Sequence, residues 1–62
     1  MKVSVKMYGE TARSVSGIVE IDGKTTSLRD VEVWADATKE DRRNTLINRA
    51  FIEQGKERPK NV

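Results

Sequence analysis

Val15-Ser16-Gly17-Ile18-Val19-Glu20-Ile21-Asp22-Gly23-Lys24-Thr25-Thr26 is the stretch that decides the fold. Val15, Gly17, Val19 and Ile21 alternate with Ser16, Ile18, Glu20 and Asp22, the period of two that turns one face of a strand to a core and the other to water. Asp22-Gly23 then closes a two-residue loop. Asp-Gly between extended segments favours a type I′ turn, because both central residues need positive φ, and so Lys24 to Thr26 should return antiparallel. Gly17 leaves a gap on the apolar side, which points to a bulge or to a large neighbour filling the space.

Outward from this hairpin the other elements follow. Upstream, Val3, Val5 and Met7 alternate with Lys2, Ser4, Lys6 and Tyr8 as a first strand, and Gly9 to Ser14 reads as a polar, flexible connection. Downstream, residues 27–34 fit two structures. Ser27-Leu28-Arg29-Asp30 resembles a capping box opening a short helix, whereas β-branched Val31 and Val33, alternating with Glu32 and Trp34, suit a strand. Extended structure from Glu32 to Trp34, after a kink at Arg29-Asp30, is favoured. Thr38 then offers an N-cap, Glu40 and Asp41 place negative charge in a first helical turn, and Gly55 supplies the stop. At ~100° per residue Leu46, Ile47, Ala50 and Phe51 share one side, with Lys39 and Arg43 lying beside them and Ile52 well away. The expected fold is α+β: a three-stranded antiparallel β-meander with one C-terminal helix packed on one face. Residues 1–55 should form a single small domain and residues 56–62 a flexible basic tail.

Composition narrows the function. The chain has 62 residues, 35% of them apolar and 35% charged, and at this size a lone core rarely supplies more than ~3–5 kcal/mol. It contains neither cysteine nor histidine, which removes disulfides, thiolate nucleophiles, the usual general base and the commonest metal ligand. No apolar run is long enough for a membrane span and no secretory leader is evident, so a cytoplasmic location is expected. Gly23-Lys24-Thr25 looks like the end of a phosphate-binding loop, but five residues rather than four separate Gly17 from Gly23. Carboxylate pairs at Glu20/Asp22 and Asp30/Glu32 would each share a strand face, yet a chain with so few apolar residues can hardly enclose the pocket that acid–base catalysis requires. The expectation is a protein that is not an enzyme, with no cofactor, no metal and no small-molecule substrate.

Two sets of residues stand out for binding. Tyr8, Ile18 and Ile52 are the apolar side chains left over once a core is assigned, and Glu20 lies beside Ile18. Trp34 either shields the corner between sheet and helix, the favoured role, or stands exposed as an interface anchor. A sheet covered on one side only invites a second copy or another protein to cover the rest. The other set is basic. Residues 1–37 carry net charge −1 and residues 38–62 carry +3. Arg42, Arg43, Arg49, Lys56, Arg58 and Lys60 are therefore candidate nucleic-acid contacts, with Arg42 and Arg49 seven apart on one helix face. Glu53 interrupts that face, and only Tyr8, Trp34 and Phe51 could stack on bases.

From Val15 to Ile52 the chain resembles small uncharacterised proteins of tailed bacteriophages and prophages. The likeness is carried by Trp34-Ala35-Asp36-Ala37-Thr38-Lys39-Glu40-Asp41-Arg42-Arg43, followed by Leu46 and Ala50. It implies a viral or mobile-element origin, residence in the host cytoplasm and a role in binding, and so blocking, a host protein. The leading expectation is thus a non-enzymatic interaction protein that binds a host protein or itself. A small nucleic-acid-binding module using the helix and tail is the alternative.

Overall fold

The computed structural model describes residues 1–62. Three strands, β1 (Val3–Glu10), β2 (Ser14–Ile21) and β3 (Lys24–Glu32), precede one helix, α1 (Lys39–Glu53). The strands form an antiparallel sheet in the order β1-β2-β3, and α1 lies across one face. This is the α+β meander read from the sequence. At the hairpin, Asp22 and Gly23 take φ values of 48° and 85°, the signs a type I′ turn demands. Asp22 also fastens β1: its backbone N–H donates to the Lys2 carbonyl and its carboxylate accepts from the Lys2 N–H, both at 2.8 Å.

β3 is continuous from Lys24 to Glu32, so Ser27 opens no helix. The kink at Arg29-Asp30 is a β-bulge. Gly17 pairs with Leu28 and Val15 with Val31, which sets Arg29 and Asp30 together opposite Ser16. Asp30 takes φ 52°, a left-handed conformation that Asp tolerates better than most residues. Its N–H is satisfied by the Ser16 hydroxyl at 2.9 Å. A second bulge lies across β2. Met7 pairs with Gly17 and Gly9 with Ser16, leaving Tyr8 as the extra residue of β1.

Each bulge resets the alternation of its strand, and this is how both strands serve the core. In β3, Leu28 and Val31 are three apart yet both buried; strict period two would have turned one of them to water. In β1, the reset brings Glu10 rather than Gly9 to the helix side. β1 therefore runs through Glu10, two residues beyond the strand the sequence pattern marks out. Gly17, between the bulges, is where a helix side chain presses on the sheet backbone. A Cβ there would lie 2.7 Å from the Lys6 carbonyl oxygen and 2.8 Å from Leu46 Cδ1, so Leu46 fills the gap that Gly17 leaves.

Ten residues make the core: Val15, Val19 and Ile21 from β2, Leu28, Val31 and Val33 from β3 and its extension, and Leu46, Ile47, Ala50 and Phe51 from α1. The helix begins with a reciprocal cap. Thr38 Oγ1 accepts from the Asp41 N–H and the Asp41 carboxylate accepts from the Thr38 N–H, both at 3.0 Å. It ends in a Schellman motif, with Gly55 at φ 68°, Lys56 N–H on the Phe51 carbonyl and Gly55 N–H on that of Ile52. Residues 56–62, read from sequence as a tail with nothing to pack before Val62, turn back along the helix. Arg58 donates to the Asn48 and Asn44 side chains at 2.7 and 3.1 Å and to the Val62 carbonyl at 2.7 Å, and Val62 packs against the core.

Gly17→Ala should lower the unfolding free energy by about 2 kcal/mol through overpacking, read as a drop in the urea midpoint followed by circular dichroism. An unchanged midpoint would show that Leu46 can move aside freely.

Candidate interaction surface

The sheet has one face under the helix and one face open. On the open face the pairing aligns Ser4 with Glu20 and Thr25, and Lys6 with Ile18 and Ser27. Ile18 therefore stands on the central strand among mostly short polar neighbours and is 40% exposed. Tyr8, pushed out of the ladder by its bulge, is 53% exposed. Glu20 is also exposed, two residues along β2 from Ile18. These three candidates share a surface.

The other two do not join them as a group. Trp34 follows the buried Val33 at the end of β3 and projects away from the core, 57% exposed, with no hydrogen bond from its indole to the protein. The corner-shielding role favoured from sequence is not what it does; the corner is filled by Val33 and Ala37 instead. Trp34 contributes its backbone there, accepting the Ala37 N–H at 3.0 Å. Ile52 is 71% exposed on the outer side of α1, across the molecule from Ile18.

The basic set is also divided. Arg42 is only 7% exposed and points into the protein, so it is removed from the surface that the seven-residue spacing assigned it with Arg49. Its Nη1 donates to the carbonyls of Thr11 at 2.7 Å and Ser14 at 3.0 Å, its Nη2 to that of Ala12 at 3.1 Å, and its Nε to that of Ala37 at 3.2 Å. Glu10, brought inward by the β1 bulge, lies 3.6 Å from Nε. The reason is local. The β1–β2 connection rises against the first turns of α1 and meets Arg42, while nothing covers Arg49. Arg58 is held by Asn44 and Asn48, and Arg43 is half-buried; Arg49, Lys56 and Lys60 remain exposed. No unbroken cationic stripe results.

The carboxylate pairs are separated as well. β2 ends at Ile21, so Asp22 belongs to the turn and not to the strand face of Glu20; Asp30 occupies its bulge while Glu32 returns to the ladder. Nowhere do three acidic side chains gather in a way that could hold a metal ion. A cleft of about 270 Å³ opens between the start of β1 and the helix, lined by Met1, Val3, Arg43, Ile47, Asn61 and Val62. No helix is long and apolar enough to cross a membrane.

Arg42→Ala should cost about 3 kcal/mol, because hydrogen bonds to a charged group are the strong ones and the Thr11, Ala12 and Ala37 carbonyls would lose their donor while Ser14 kept only the Thr11 N–H. Arg42→Lys should recover little of this, since an ammonium cannot reproduce the fork. Urea unfolding followed at 222 nm checks both; a lysine variant as stable as the parent would contradict the geometry. Comparisons with protein-family models, with curated proteins and with solved structures give no match.

Proposed function

We propose that this chain is a non-enzymatic protein-binding module, encoded by a phage or another mobile element, that docks a host protein through the open face of its sheet. The observation that carries this reading is the exposure of Ile18 and Tyr8 on that face, where short Ser and Thr side chains leave them standing clear. Apolar and aromatic groups set in a polar surround are the composition of an interface centre. Glu20 and Lys6 supply charges of both signs beside them, which would fix the orientation of a partner. The likeness to small phage proteins supports the same role.

The alternative, a nucleic-acid module, retains Arg43, Arg49, Lys56 and Lys60 but loses Arg42 to the interior and has Arg58 engaged by asparagines. It predicts binding that falls steeply with salt.

Tyr8→Ser combined with Ile18→Lys should leave the melting temperature within a few degrees of the parent, since neither side chain belongs to the core. The same variant should lose the proteins that the parent captures from a bacterial lysate at physiological salt. Retention of those proteins by the variant, or captured material that is nucleic acid released by salt, would sink the proposal.

A further inference from the structure

α1 leans over β2 and β3, whose inward residues are buried, and leaves the inward side chains of β1 only half covered. Val3, Val5 and Met7 form that margin. The same strand is an edge of the sheet, so half of its backbone groups have no partner.

Which half follows from one hydrogen bond. The Asp22 N–H donates to the Lys2 carbonyl, which places Lys2 among the β1 residues that bond to β2. Alternation along an antiparallel strand then puts Ser4 and Lys6 in that set as well. The Lys6 carbonyl oxygen agrees, being aimed at β2 so closely that Gly17 can have no Cβ. The N–H and C=O groups of Val3, Val5 and Met7 therefore face outward from the edge. The residues whose apolar side chains are half exposed are also those with free backbone groups.

We propose that a second copy of this chain pairs with that edge, β1 against β1 in antiparallel register about a two-fold axis at Val5. Among the registers centred on Ser4, Val5 or Lys6, which keep most of the regular strand paired, charge selects one. Centring the pair on Lys6 would set two lysines face to face, and centring it on Ser4 would set Lys2 against Lys6. Centring it on Val5 sets Lys6 opposite Ser4 and Lys2 opposite Tyr8, with no like charges in contact. Val3 of each copy then faces Met7 of the other, and Val5 faces Val5. The two apolar margins become one continuous strip on the helix side of a six-stranded sheet. Met7 of the second copy falls beside the cleft that Val3 and Met1 wall. β3 offers no equivalent edge, because the left-handed Asp30 interrupts it and its inward residues are already covered.

Pairing through β1 leaves the open face around Ile18 uncovered, though Tyr8 and Lys6 gain Lys2 and Ser4 of the second copy beside them. Because substitutions at Ser4 alter neither Tyr8 nor Ile18, failure of the dimer and failure of the host-protein interface are distinguishable. A ladder this short buries less than standard interfaces do, so the association is weak and reversible.

Sedimentation equilibrium from low micromolar to about 1 mM should show a reversible dimer. Ser4→Lys puts an ammonium opposite Lys6 at two symmetric places and should weaken it about tenfold. The variant should keep its fold, because the same ammonium gains Glu20 as its neighbour on β2. Ser4→Glu should tighten the dimer by facing Lys6 of the other copy twice, although within its own sheet it meets Glu20 and so should lower the melting temperature slightly. In hydrogen exchange, the Val3, Val5 and Met7 amides should gain protection as concentration rises, while the Ser4 and Lys6 amides should not. A monomer throughout the range, a dimer indifferent to both Ser4 substitutions, or protection that does not depend on concentration would each overturn the inference.

Discussion

The guanidinium of Arg42 is where this small fold closes. At one end of the sheet the Asp22-Gly23 turn joins β2 to β3 with no help from elsewhere, but at the other end the chain must make a loose connection from Glu10 to Ser14 and later start a helix above it. The connection is too short to carry a ladder of its own, and the carbonyls of Thr11, Ala12 and Ser14 converge on one side. A buried carbonyl without a donor is costly. One planar fork with several donors, reaching down from the first turns of α1 and itself buried, finds its partners in these three and in the Ala37 carbonyl just before the helix. The Ser14 carbonyl also accepts from the Thr11 N–H. Glu10 supplies a countercharge. Helix, loop and the edge of β1 are thereby tied at one point, in a chain whose apolar core of ten residues has little to spare.

That arrangement depends in turn on the two bulges opposite Ser16 and Gly17. Without the extra residue at Tyr8, Glu10 would point to the open face and Arg42 would lack its carboxylate. Without the extra residue in β3, Leu28 and Val31 could not both be covered. Local sheet irregularity thus serves packing on one side and display on the other: the bulge that turns Glu10 inward also lifts Tyr8 out of the ladder.

The elements visible in the sequence were those whose signals are local. The Asp-Gly turn, the alternation of β2 and the Thr38 and Gly55 helix boundaries all depend on neighbouring residues, and each is found where the pattern put it. The gap at Gly17 is legible too: of the two readings open to it, a bulge or a large neighbour, the neighbour is Leu46, and the bulges lie on the flanking strands. What stayed hidden is long-range. A charged residue seven positions from another charged residue looks like a solvated stripe, and only the tertiary path of the loop shows that Arg42 is interior. A signal was available: a short connection with no glycine, proline, asparagine or aspartate to make its turn, and an arginine one turn into a following helix. Arg58 was misplaced for a similar reason, since Asn44 and Asn48, one turn apart, announce a receptor for it only when the chain reverses after Gly55. Trp34 was expected to fill a corner that smaller Val33 and Ala37 already occupy.

The unequal footing of the two connections has a consequence for anyone wishing to remodel this chain. The Asp22-Gly23 reversal gets its shape from its own two residues, so lengthening it or grafting a foreign segment there puts at risk the reversal, the Lys2 contact and the Gln54 hydrogen bond to the Lys24 carbonyl, all close by. The Thr11 to Ser14 segment looks like the more permissive place, being polar and exposed, but its carbonyls are already claimed by a side chain thirty residues away. An insertion there would unfasten the helix it never touches in sequence.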